Sequence, residues 1–81
     1  DDGCLNDAVC RGHYEQAVKQ FESGRYELAL GSFQAAHRRR QMPWLLLNIG
    51  RTLQRLGPAQ EAIGYYERYK KAELNIDAAT L

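Results

Sequence analysis

The sequence has no long apolar run and none of the short motifs that mark common active sites. Its longest uninterrupted apolar stretch is residues 44–47, far short of the roughly 18 residues that a membrane-spanning helix needs. It also has no glycine-rich phosphate loop, nucleophile elbow, HExxH or CxxC pattern. These absences argue against membrane insertion and against enzyme activity, and we expect no cofactor.

Histidine is scarce as well, with His13 and His37 as its two occurrences. No carboxylate, histidine and nucleophile set can be assembled around either residue from their spacing. A metal site needs several ligands close together, and His13 is the single histidine near the two cysteines. We therefore predict no catalytic residue and no metal site.

Acidic residues are missing from the middle of the chain. No Asp or Glu lies between Glu27 and Glu61, although the net charge is only +1. Arginines in such a window can contact nucleic-acid phosphates. However, the net positive charge of the chain is smaller than that expected of a nucleic-acid-binding domain. A solvated face, or cations at a helix C-terminus, is the simpler interpretation, and nucleic-acid binding stays a minor alternative. The five arginines of the window are Arg38, Arg39, Arg40, Arg51 and Arg55.

Both cysteines, Cys4 and Cys10, fall in the first 11 residues. On one continuous helix, residues at this spacing would lie about 9 Å apart along the axis. That is too far for a disulfide, whose Cα atoms are roughly 4.4 to 6.8 Å apart. A bond therefore requires a loop, which Gly3 and Asn6 permit. Two alternatives stay open: a disulfide that staples the terminus, or two ordinary apolar cysteines.

The chain does contain an internal repeat. Residues 24–33 return in similar form as residues 57–66, an offset of 33 positions, and Ala17 finds Gly50 at the same offset. A period in the thirties with small residues at fixed places is typical of paired helices stacked into a solenoid. In this interpretation the small residues let helices approach closely. Gly24 and Gly57, the first residues of the two ranges, each end a helix. Phe33 and Tyr66, the last residues, fill the space between neighbouring helices.

This pattern resembles the tetratricopeptide repeat, in which a small residue on helix A, a turn glycine, an early alanine on helix B and a later aromatic recur about every 34 residues. The chain departs from it in having Ala59 where Tyr26 supplies the usual turn aromatic. The resemblance implies an all-α, TPR-like α-solenoid of two helical hairpins plus a partial capping helix, for which Asn75 or Asp77 is the candidate N-cap. The expected segments are 1–11, a non-repeat stretch with both cysteines, 12–42, the first repeat, 43–74, the second repeat, and 75–81, the start of the capping helix.

Apolar spacing predicts four helices, over residues 12–23, 25–40, 44–56 and 58–73. The third has too many apolar residues for one narrow stripe, so we expect it to be the buried centre. The residues expected to face inward on the fourth helix are Ala62, Ile63, Tyr66, Tyr69 and Ala72.

In tetratricopeptide arrays the A helices line a concave surface that binds partner proteins. The resemblance therefore implies a non-enzymatic scaffold for a peptide or protein segment, especially one with acidic residues or a free carboxy terminus. Aromatic area, an amide and guanidinium groups suit the capture of such a segment. The residues expected to line the surface are Tyr14, Val18, Phe21, Trp44, Leu47, Asn48, Arg51 and Arg55.

Self-association is the alternative function. Stacked repeats usually need about three copies for stability, so two chains of this kind could complete their cores as a homodimer. The sequences of segments 46–50 and 66–69 also resemble those of bacterial repeat proteins, many of which are exported. Together with the cysteine pair, this favours a periplasmic or otherwise exported location, with a cytoplasmic one as the alternative.

Overall fold

The computed structural model describes residues 3–80, with side chains described as far as Leu74. No strand occurs in this part of the chain, so the all-α prediction is confirmed. The helices pack in order, α1 on α2, α2 on α3 and α3 on α4. Within these residues, no helix combines the length and apolar character needed to cross a bilayer. The helices are α1, Ala8–Glu22, α2, Tyr26–Arg39, α3, Pro43–Leu56, and α4, Ala59–Thr80.

A glycine with positive φ follows the end of α1, and another follows the end of α3. Gly24 follows the end of α1 with φ 77°, and Gly57 follows α3 with φ 115°. Glycine adopts this left-handed conformation at little cost, which is why it closes helix C-termini. Between the pairs, Pro43 occupies the first turn of α3, where its missing N–H has no helical partner to lose. The predicted helix ends at Gly24 and Gly57 are thus confirmed.

Helix α3 lies at the centre of the core, as predicted. Its Leu45, Ile49 and Leu53 are almost completely buried, and the helix packs against both α2 and α4. Burial on two sides explains why its apolar residues exceed one stripe. The other buried members of the cluster are Cys4, Cys10, Ala17, Ala29, Phe33, Ala36 and Ala62.

Gly50 is a point of very close approach between α3 and α4. A Cβ atom on Gly50 would lie 2.7 Å from Cε1 and 2.9 Å from Cδ1 of Tyr66. The Tyr66 ring therefore occupies the space that any larger residue would need, and its hydroxyl donates a hydrogen bond to Gln54 Oε1. The predicted roles of Gly50 and Tyr66 agree with this contact.

The predicted start of the first helix was wrong. Helix α1 begins at Ala8 rather than near Gly12, because the Asp7 carboxylate accepts hydrogen bonds from the backbone N–H groups of Val9 (3.0 Å) and Cys10 (3.1 Å). An acceptor at this position satisfies N–H groups that have no partner inside the helix. The predicted boundary after residue 11 consequently falls inside α1.

Two details of the second pair also differ from the prediction. Ile63 is 48% exposed, because it follows the buried Ala62 by one position and points about 100° away around the helix.

Helix α4 runs unbroken to Thr80, so no separate capping helix begins at Asn75 or Asp77. No glycine or proline follows Gly64 to stop it. Leu81 lies outside the described residues.

The helix glycines provide a matched test of this packing. A Cβ atom on Gly31 would meet no atom within 4 Å beyond its chain neighbours and the backbone of its own helix, so Gly31→Ala should raise the free energy of unfolding by about 0.5–1 kcal/mol. Gly50→Ala adds the same methyl group against Tyr66 and should lower it by about 1–3 kcal/mol. Urea unfolding followed by circular dichroism measures both changes. Equal stability of the two variants would contradict the close α3–α4 contact.

Candidate functional site

A groove with a volume of about 310 Å³ opens between α1 and α3. The α1 residues lie three and four positions apart and therefore share one helix face, and the two α3 residues lie three apart. Four of the eight residues predicted for the partner surface are among those that line it. The lining residues are Val18, Phe21 and Glu22 of α1, Phe33 of α2, and Asn48 and Arg51 of α3.

The floor of the groove is apolar and its rims are charged. Phe33 is buried, and Val18 and Phe21 are half-buried against the core. Glu22 on α1 and Arg51 on α3 are exposed. A bound segment would therefore meet an apolar surface at the bottom, a carboxylate on one side and a guanidinium group on the other.

The polar groups on the α3 side of the groove are available to a ligand. The backbone carbonyl of Asn48 accepts a hydrogen bond of 2.8 Å from the Thr52 hydroxyl. Its side-chain amide has no hydrogen-bond partner among the described residues, and Arg51 has no ion pair there. An unpartnered amide offers two donor hydrogens and one acceptor oxygen, which is what an extended backbone requires.

Tyr14 and Trp44 lie beside the groove and contact each other across α1 and α3. Their rings meet edge to face with centroids 5.0 Å apart, and the Tyr14 ring also lies 6.2 Å from that of Phe33. Edge-to-face pairs of this kind stabilise packing. These two predicted binding residues therefore hold the helices together, while Leu47 is half-buried on α3 and does not line the groove.

Arg55 lies over aromatic rings. Its Cζ atom is 5.8 Å from the centroid of Phe21 and 6.0 Å from that of Tyr26, and these rings contact each other edge to face. A guanidinium group at this distance is attracted to the negative faces of aromatic rings. Arg55 thus extends the site through Phe21, without lining the groove itself.

Asp7 is a buried charged residue at the start of α1 that was not among the predicted functional residues. Its side chain is 6% exposed and accepts hydrogen bonds from Arg39 Nε (3.1 Å) and Arg40 Nε (2.9 Å). The backbone N–H of Cys10 and these two arginines lower the pKa of Asp7 from 3.8 to about 2, against the opposing effect of desolvation. An aspartate directly before a helical run is a recognised N-cap signal. Its pairing with Arg39 and Arg40 cannot be predicted from local sequence, because these arginines are 32 and 33 positions away.

This pairing changes the interpretation of the five arginines. Arg39 and Arg40 hold Asp7 as well as lying near the end of α2. Arg51 and Arg55 lie at the groove, and Arg38 lines a different cavity, described below. The five residues are therefore divided among separate environments.

Cys4 and Cys10 form a disulfide with Cα atoms 5.0 Å apart. Cys4 lies in the turn before α1 and Cys10 in its first helical turns, an arrangement that satisfies the need for a loop. Cys10 Sγ lies 3.1 Å from the carbonyl oxygen of Ala36, a packing contact, since a disulfide sulfur has no proton to donate. A Cβ atom on Gly3 would lie 3.8 Å from Cδ of Arg40 and 3.7 Å from the Met42 sulfur, so this segment lies beside the residues that directly follow α2.

No cluster of three or more His, Cys, Asp or Glu side chains able to hold a metal ion occurs in the described part of the chain. Comparison of the chain with protein-family models, with curated proteins and with solved structures gives no match. The tetratricopeptide resemblance therefore rests on the residues of this chain alone.

The ionisation of Asp7 predicts how stability depends on pH. Because its folded-state pKa of about 2 lies below the ordinary value of 3.8, the charged carboxylate stabilises the fold above about pH 4, and this contribution is lost as the pH falls towards 2. Asp7→Asn keeps a capping oxygen but carries no charge for the arginines. We expect its Tm to fall less steeply than that of the wild type over this range, as measured by circular dichroism.

Glu67→Gln is the matched control, because Glu67 is exposed and has no ion pair among the described residues. This variant should retain the pH dependence of the wild type. If Asp7→Asn loses as much Tm on acidification as the wild type does, the contacts of Asp7 with the arginines do not stabilise the fold.

Proposed function

We propose that this chain is a non-enzymatic protein-binding domain that holds an extended peptide segment in the groove between α1 and α3. The segment carries acidic side chains or a free carboxy terminus. The observation that carries the proposal is the groove of about 310 Å³, where Asn48, whose amide has no hydrogen-bond partner among the described residues, and Arg51 stand beside an apolar floor. A site with this combination suits a peptide better than a small polar ligand.

Each part of the groove has a role in this proposal. The Asn48 amide bonds to the backbone of the segment, and the Arg51 guanidinium group pairs with a carboxylate, for which its planar geometry is well matched. An apolar side chain of the segment covers Phe33. Glu22 gives the α1 rim the opposite charge, so the segment lies with its carboxylate towards α3.

We also propose that the chain is a helical-repeat domain of the tetratricopeptide type. Equivalent positions support this: Gly24 and Gly57 both have positive φ, and Ala17 and Gly50 are both buried. Within each half, consecutive helices pack together, α1 with α2 and α3 with α4. In such arrays the first helix of each pair lines the binding surface, which is consistent with a groove between α1 and α3.

An exported location, with the periplasm as the preferred compartment, is our proposal for where the domain acts. The Cys4–Cys10 disulfide supports it, because disulfides persist in oxidising compartments and are rare in the cytosol. Alkylation of the protein from its native source, without prior reduction, should leave both cysteines unmodified. Two alkylated thiols in the mass spectrum would contradict an oxidising location.

The groove makes a binding prediction for Arg51. A fluorescent peptide of alternating apolar and acidic residues with a free carboxy terminus should bind the wild type, and its amidated form should bind more weakly. Arg51→Glu should weaken binding by roughly tenfold or more, because a hydrogen bond to a charged group contributes about 1.5–3 kcal/mol. Asn48→Ala should weaken it by a smaller factor. Fluorescence anisotropy measures each affinity.

Arg25→Glu is the control, because Arg25 is exposed and lies outside the groove lining, and the variant makes the same charge change. It should bind as the wild type does. Equal affinities for all variants would show that the peptide binds elsewhere.

Light scattering on the same samples tests the self-association alternative. The exposed Ile63 (48%) and Leu74 (66%) of α4 are apolar groups that a second copy of the chain could cover. A stable dimer at low micromolar concentration, together with no peptide binding, would favour that alternative. A monomer that binds the peptide supports the groove.

A further inference from the structure

A second cavity, of about 320 Å³, lies between α2 and α4. Polar and basic side chains supply most of its lining, and α1 contributes none of it. It is therefore separate from the groove between α1 and α3. Its polar lining consists of Gln34, His37 and Arg38 of α2, Gln41 of the following turn, and Tyr65 and Arg68 of α4.

The positive charge in this cavity has no counter-charge among the described residues. No acidic residue whose side chain is described lines it, and the ion pairs of the described residues join Asp7 to other arginines. Glu67 adjoins Arg68 in sequence, but successive helix positions point about 100° apart. Arg38 and Arg68, both exposed, thus line one cavity whose described residues include no carboxylate.

The orientation of Arg68 leaves it able to bind a ligand. Its Cζ atom lies 4.9 Å from the centroid of the Tyr65 ring. A guanidinium group over an aromatic face keeps its N–H groups at the edge, where they can donate hydrogen bonds in the plane. Tyr65 therefore positions Arg68 while its donors stay available.

The pKa of His37 depends in part on the positive charge in this cavity. It is half-buried, and burial, with the positive charge of Arg68 as the second cause, lowers the pKa of its imidazole. The groups around it are Arg38 from its own helix and Tyr65 and Arg68 from α4, while α3 contributes the apolar Ile49. An anion bound here would oppose the second of these causes by offsetting the charge of Arg68.

We infer that the cavity between α2 and α4 binds a phosphate or sulfate group, whose charge Arg38 and Arg68 neutralise and whose remaining oxygens the Gln34 and Gln41 amides contact. Arginine pairs are common partners of such oxyanions because each guanidinium group can donate two parallel hydrogen bonds. The group is either a free ion or the end of a larger molecule, because the cavity is open to solvent.

The test is a titration of the full chain with inorganic phosphate at constant ionic strength, followed by NMR of the histidine side chains. The His37 signals should shift and saturate, whereas those of His13, exposed on α1 and outside the lining, should stay unchanged. Saturating sulfate, whose charge is constant across the histidine range, should raise the pKa of His37. Shifts that chloride reproduces at the same ionic strength would overturn the inference.

Two variants separate the cavity from general charge attraction. Arg68→Gln should weaken phosphate binding by roughly tenfold, whereas Lys70→Gln, which removes an exposed positive charge of α4 outside the lining, should bind as the wild type. Equal loss in both variants would overturn the site. Tighter binding of phosphoserine than of inorganic phosphate would identify the ligand as a phosphorylated molecule, and equal binding would identify it as the free ion.

Discussion

The close contact of Gly50 with Tyr66 fixes how near α4 can lie to α3, and much of the second half of the molecule depends on it. Because Gly50 has no side chain, the Tyr66 ring packs directly on the α3 backbone. The neighbouring positions of α4 are then determined by helix geometry, so Tyr65 and Arg68 line the cavity that α2 shares. One missing side chain thus sets the spacing of α3 and α4, and with it the position of the α4 residues that line this cavity.

The absence of acidic residues from the middle of the sequence is the second constraint. The arginines of that window have no acidic residue near them in sequence, and the structure divides them among separate environments. Arg39 and Arg40 reach back to Asp7, and Arg55 lies over aromatic rings. Arg38 and Arg51 have no ion pair among the described residues, and they lie at the two cavities for which we propose ligands.

Local patterns predicted the parts of this fold that local physics controls. Glycine positions gave the ends of α1 and α3, and apolar density gave the central helix. The predicted start of α1 was wrong although Asp7 is a good N-cap, because the segment that carries both cysteines continues into the helix, where Cys10 lies. Contacts between residues far apart in the sequence, such as Asp7 and Arg39, produce no periodic pattern from which they could be predicted.

The candidate site was predicted in part for the same reason. Helix periodicity identifies a face but not the depth of each residue on it. Val18 and Asn48 therefore line the groove as expected, whereas Tyr14 and Trp44 on the same faces pack against each other. Phe33 was expected only as a packing residue, and its access to the groove depends on the arrangement of three helices. The cavity between α2 and α4 combines residues whose proximity no spacing predicts.

Asp7 lies inside the loop that the Cys4–Cys10 bond closes, so oxidation and proton binding are linked at this end of the molecule. The disulfide holds the segment against the end of α2, where the carboxylate meets two guanidinium groups. Reduction would remove the covalent restraint on the segment that places Asp7 beside Arg39 and Arg40. The part of the lowered Asp7 pKa that the two arginines contribute would then depend on the bond, whereas the largest part, from the Cys10 N–H at the start of α1, would not. A thiol-disulfide reaction would thereby alter the acid sensitivity of the fold as well as its covalent structure.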